Sequence, residues 1–68
     1  MFRVLRAYLE LKDINHAEFA EQQVGISPES FSNKLNGRTD FKLKEAKKIA
    51  DYFGKTIDEI FFGNEVNI

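Results

Sequence analysis

The side chains available for chemistry are few and unevenly placed. The chain carries one histidine, His16, and no cysteine. Disulfide frameworks and zinc–cysteine sites are thereby excluded, and a lone histidine builds no metal site without several carboxylates beside it. No nucleophile–base pair, phosphate-cradling glycine loop or paired carboxylates in a cleft can be picked out. The expectation is a protein that is not an enzyme and needs no cofactor. What remains is charge. From Lys34 to Lys48, six basic residues (Lys34, Arg38, Lys42, Lys44, Lys47, Lys48) stand against Asp40 and Glu45, a local +4. From Ala7 to Glu29, Lys12 alone opposes Glu10, Asp13, Glu18, Glu21 and Glu29, a local −4. A basic run can hold phosphate groups, but it is also the ordinary form of a solvated face. The total of 10 basic and 11 acidic residues favours neither.

These residues must be positioned by a chain of 68, which is room for one domain. With 43% hydrophobic and 31% charged residues, the composition is globular and not disordered. No apolar run approaches the ~20 residues of a membrane span. Met1 to Lys12 alternates apolar and charged residues and lacks the apolar block of a signal peptide. A cytoplasmic protein is expected.

Periodicity and punctuation divide the chain into five short helices. Phe2, Leu5, Tyr8 and Leu9 form one apolar stripe, from about Phe2 to Leu11. Asn15 is a good N-cap, with Glu18 placed to reach back to its N–H. Phe19, Ala20 and Val24 line the buried side of the next helix, and Gly25 ends it. Ser27 caps the third helix, with Pro28 at the first position, where its missing N–H costs nothing. Phe31 and Leu35 face inward and Gly37 closes it. After a polar loop, Leu43, Ala46, Ile49, Ala50 and Phe53 repeat with helical period up to Gly54. Thr56 and Glu59 form a capping box ahead of Ile57, Ile60 and Phe61. Phe41 is read as a plug in the loop. Strict alternation is not sustained anywhere, so no strand of note is expected. The division is a domain over residues 1–62 and a short tail over 63–68.

The informative stretch is Asn15 to Gly37, two short helices joined by a tight turn containing Gly25. Together with the marks around it, this stretch resembles the helix-turn-helix of the Cro and lambda-repressor-like (XRE) family. Those marks are Phe19-Ala20, Gly25-Ile26-Ser27, Phe31-Ser32, Asn36-Gly37, Leu43 with Ala46-Lys47-Lys48-Ile49-Ala50, and Ile57-Asp58-Glu59-Ile60-Phe61. The likeness is strongest to small bacterial and phage regulators and runs from about Leu5 to Phe62. It implies an all-α, five-helix lambda-repressor-like domain whose second motif helix enters the DNA major groove. By position, the base-reading face would be Pro28, Glu29, Ser32 and Asn33. Asn33 suits adenine, Ser32 either base, Glu29 the cytosine amino group, and Pro28 a thymine methyl. Phosphates would be held by Asn15, His16, Lys34, Asn36, Arg38, Thr39 and Lys42. The implied function is a Cro- or repressor-like transcriptional regulator binding a double-stranded operator as a homodimer. No small-molecule ligand and no membrane partner are implied.

Two departures bear on this. Ala20 and Gly25 are five residues apart, where the family has four. An extra helical residue rotates the chain beyond it by about 100° and advances it about 1.5 Å. The turn absorbs it, a π-bulge absorbs it, or the second helix is displaced. The second departure is acidity: Glu18, Glu21 and Glu29 lie on or beside the expected DNA side. That supports an alternative, a protein-interaction module on the same fold, antirepressor- or antitoxin-like. Adjacent Phe61 and Phe62 cannot both face one core, since neighbouring helical residues point about 100° apart. Ile57, Phe61, Phe62 and Val66, with Ile68 nearby, are the candidate dimer or partner contact.

Overall fold

The computed structural model describes residues 2–62. Helix α1 (Arg3–Leu11) buries Leu5 and Leu9 completely, as the apolar stripe requires. It ends in a turn where Ile14 N–H donates to the Leu9 carbonyl at 2.9 Å. Asp13 there has a positive φ of 54°, a conformation that Asp tolerates better than most residues.

The second helix starts as α2 (His16–Glu18), with the Asn15 carboxamide oxygen accepting from the Glu18 N–H at 3.0 Å. Among the described residues Glu18 returns no bond to the Asn15 N–H, so half of the expected box forms. The helix then widens into a π-helical segment, Phe19–Val24. Gly25 N–H donates to the Ala20 carbonyl at 2.7 Å, five residues back, and Ile26 N–H joins the same oxygen at 3.0 Å. This is how the chain accommodates its extra residue. Phe19, Ala20 and Val24 stay buried together. On a purely α-helical path, Val24 would lie within about 40° of Ala20 but about 140° from Phe19, so the three would not share one face. Gly25 then reverses the chain at φ +87°, where a side chain would be strained.

Helix α3 (Pro28–Leu35) begins with the Ser27 hydroxyl accepting from the Ser30 N–H at 3.1 Å. Phe31 and Leu35 anchor it in the core, and Gly37 ends the turn beyond it at φ +84°. Helix α4 (Leu43–Phe53) buries Ala46, Ile49 and Ala50. Leu43, expected on that buried stripe, is instead 77% exposed. It is the first residue of α4 and lines an open groove with Ile57 and Phe62. Helix α5 (Ile57–Phe61) carries the full Thr56–Glu59 capping box, with bonds of 2.9 and 3.1 Å. The Thr56 N–H donated to the Glu59 carboxylate holds that carboxyl below its ordinary value.

Counting the π segment as part of the second helix, the described residues form five helices and no strand, the expected all-α architecture. α1 packs on α5, α2 on α3, and α4 on both the π segment and α5. Phe41 fills the loop between α3 and α4, its ring 5.5, 6.0 and 5.3 Å from those of Phe2, Phe31 and Phe61. A second aromatic corner gathers on Phe53, with the rings of Tyr8 and Tyr52 at 5.4 and 5.1 Å.

Candidate nucleic-acid interface

The two faces of α3 divide cleanly. Phe31, Lys34 and Leu35 are buried at positions i, i+3 and i+4. Glu29, Ser32 and Asn33 have the same spacing and occupy the opposite arc, with Glu29 and Ser32 exposed and Asn33 half-buried. Pro28, also exposed, stands at the helix start beside them. Phe31 is 1% exposed and contacts Phe19 of the π segment edge-on at 5.7 Å. The second helix therefore braces the third from behind and leaves the polar arc open to solvent.

Donors surround this arc on both sides. Asn15 and His16 lie exposed at the start of α2, with the His16 ring 6.2 Å from that of Phe31. The Asn15 side-chain oxygen is occupied by its cap, which leaves its amide NH2 as a donor. Asn36 accepts from Arg6 Nη2 at 2.7 Å, again leaving its NH2 free to donate outward. Arg38 reaches back with a long 3.4 Å contact to the Asn33 side-chain oxygen. Arg38, Thr39 and Lys42 are exposed on the loop leading into α4.

Lys34 requires a correction. Sequence position puts it among the phosphate donors, but its side chain is only 10% exposed and its ammonium lies 2.6 Å from the Glu45 carboxylate. Glu45 also accepts from the Lys42 backbone N–H at 3.0 Å. Burial pushes the Glu45 carboxyl up, but these two hydrogen bonds and the nearby lysine charges outweigh it and hold it below the ordinary value. Sequence reasoning missed both Glu45 and Arg6. Glu45 sits three residues after Lys42, the spacing of a capping box, but lysine at the cap has no side-chain acceptor and hides the pattern. Arg6 lies 30 residues from its partner, and no local signal links the two.

A helix braced from behind, with an open polar arc and flanking donors, is the geometry of a helix-turn-helix. The family model of the Cro/C1-type HTH DNA-binding domain matches residues 4–62. The chain belongs to that family. No curated protein and no solved structure gives a match of its own. As a Cro/C1-type domain, the chain has DNA as the partner of its family fold. Its acidic residues Glu18, Glu21 and Glu29 are exposed, and none makes an ion pair among the described residues.

The expected contact at the α5 end also changes in detail. Phe61 is buried at 9% exposure against Phe2 and Phe41, and so serves the core. Phe62 is 47% exposed, the divergence that adjacency demanded. Ile57 is half-buried. Val66, with the rest of residues 63–68, lies outside the described residues. Phe62, Ile57 and the unexpectedly exposed Leu43 line a mainly apolar groove of about 390 Å³ together with Phe2, Asp40, Phe41, Ala46 and Phe61. No helix among the described residues is long and apolar enough to cross a membrane.

Proposed function

We propose that this Cro/C1-type domain is a sequence-specific transcriptional regulator of the Cro or repressor kind, acting in the cytoplasm. It binds an operator as a homodimer and represses by occupying a promoter. The observation that carries the reading is the open polar arc of α3, held rigid from behind by Phe31 and Leu35. Pro28, Glu29, Ser32 and Asn33 read base edges from that arc. Asn15, His16, Asn36, Arg38, Thr39 and Lys42 hold the phosphates on either side of it. One short helix reads too few base pairs for specificity, so two copies address half-sites about 34 Å apart. The groove bordered by Leu43, Ile57 and Phe62 is the surface through which the copies join.

The test is selection from random duplex DNA, then anisotropy titration of the best site at several salt concentrations. A two-fold symmetric site and a steep salt slope are expected. Failure to enrich any site would overturn the reading. The exposed Glu18, Glu21 and Glu29, without ion pairs among the described residues, favour one second reading, a module that keeps the fold and binds another regulatory protein. Enrichment failure together with capture of a basic protein partner would establish it.

A further inference from the structure

The Lys34–Glu45 pair ties together three pieces of the reading surface. Lys34 lies in the last turn of α3, and Glu45 in the first turn of α4. One oxygen of Glu45 accepts from both the Lys34 ammonium, at 2.6 Å, and the Lys42 backbone N–H, at 3.0 Å. That oxygen therefore joins the base-reading helix to the end of the loop bearing Arg38, Thr39 and Lys42. Two more links hold the same end of α3. Phe2 N–H donates to the Leu35 carbonyl at 3.1 Å, and Arg6 binds Asn36 at 2.7 Å.

Both side chains of the pair are about nine-tenths buried, 10% and 11% exposed. Removing two charges from water offsets most of their attraction, so such a pair adds little net stability. What it supplies is one permitted geometry, because either charge left alone would be buried without a partner. An apolar pair in the same place would let α3 slide or roll against the loop at small cost.

We propose that Lys34 and Glu45 are positioning residues that fix the register between the base-reading arc and the phosphate-holding loop, and so set DNA specificity without touching DNA. The inference rests on the DNA-binding reading above. It makes a prediction opposite in sign to a phosphate-contacting Lys34. As a phosphate contact, its loss would weaken all sequences alike and reduce the salt slope by about 0.9. Removing Glu45 would then free the lysine and strengthen binding to every duplex.

The test uses the full chain with K34M, E45Q and the double variant K34M/E45Q. The carboxamide oxygen that E45Q introduces still accepts from the Lys42 N–H, so the start of α4 is kept. Circular dichroism verifies the fold of each variant. Affinities are measured for the selected site and for a scrambled duplex across a salt series. For K34M and E45Q alike, the ratio of selected to scrambled affinity should fall about tenfold, the cost of one lost base contact. The salt slope should not change. The double variant should lose no more than either single one, because the two residues act as a unit. A uniform loss with a reduced slope in K34M, or a uniform gain in E45Q, would overturn the proposal.

A second readout needs no DNA. In K34M, backbone amide shifts should move across Ser32 to Asn36 and across Arg38 to Lys42, but not in α5. Shifts confined to the immediate neighbours of residue 34 would overturn the strut. If the wild-type chain binds no duplex, the functional reading fails, and the amide shifts alone decide the register.

Discussion

Deleting Gln23 should leave the domain folded and make it more stable. The π segment exists to hold one residue more than an α-helix needs between Ala20 and Gly25, closed by the 2.7 Å bond between them. Without Gln23, the Gly25 N–H reaches Ala20 by the ordinary four-residue step. Three α-helical residues rotate about 300°, so Val24 returns within about 60° of Ala20, still on the buried face. Gln22 and Gln23 are both exposed, so no core contact goes with the deleted side chain. One fewer residue to order removes about 1–2 kcal/mol of backbone entropy cost. For a domain this size each kcal/mol shifts Tm by about 4–8 °C. The matched control is deletion of Lys47, also exposed, from the middle of α4. There no wide turn absorbs the change, and Ile49 and Ala50 rotate by about 100° relative to the first turn. Ile49 is fully buried, and losing such a side chain from a core costs about 2–5 kcal/mol. A 68-residue domain has about 3–10 kcal/mol in all, so this variant should be largely unfolded. Thermal unfolding followed at 222 nm reads both. If the Gln23 deletion unfolds the chain, or if both deletions cost the same, then the π segment is not a local reservoir for the extra residue.

Ser27→Ala removes the only side-chain acceptor that caps α3 among the described residues and should cost about 1 kcal/mol in a urea titration, with an unchanged m-value. Asn33→Ala should weaken binding to the selected site by about 1–3 kcal/mol and relax one base position, read by repeating the selection; unchanged preference would remove Asn33 from the reading arc. Leu43→Glu should dissociate the proposed homodimer in sedimentation equilibrium while leaving Tm nearly unchanged, because a residue 77% exposed holds little of the monomer's core. Acid should destabilise the fold through Glu45. Its carboxyl is held below the ordinary 4.5, so its contribution is complete above that pH and is lost as pH falls through the folded-state value. In E45Q, that part of the acid slope in the urea midpoint should vanish.

The helices were legible because their ends are written in local chemistry. Ser27-Pro28, Thr56 with Glu59, and the glycines at 25 and 54 each act within a few residues, where spacing alone carries the information. The extra residue before Gly25 was visible as a count, but its resolution was not. A wide turn, a strained loop and a displaced helix share one sequence, and only the packing of Phe19, Ala20 and Val24 selects among them. The fate of Lys34 was illegible for a similar reason. Its spacing from Phe31 put it at the edge of the buried arc, and only the third residue of another helix decides which way its charge turns. Leu43 failed in the other direction: helical period places it on the apolar stripe, but period says nothing about where the neighbouring helices stop. The reading arc itself owes its recognition to the family pattern, since a polar helix face by itself is ordinary.

The aromatic corner on Phe53 has a consequence for how this molecule can be observed. The chain has no tryptophan, and its two tyrosines are Tyr8 and Tyr52, both seated on that one ring. All tyrosine emission, which alone is excited above about 270 nm, therefore originates where α1, the π segment and α4 meet. Helix α3 carries no tyrosine. A transition that loosened α3 first would register at 222 nm while the tyrosines still reported a native environment. Two melting curves that fail to superimpose would then mark α3 as a separately unfolding unit, and a single shared curve would mark the domain as one.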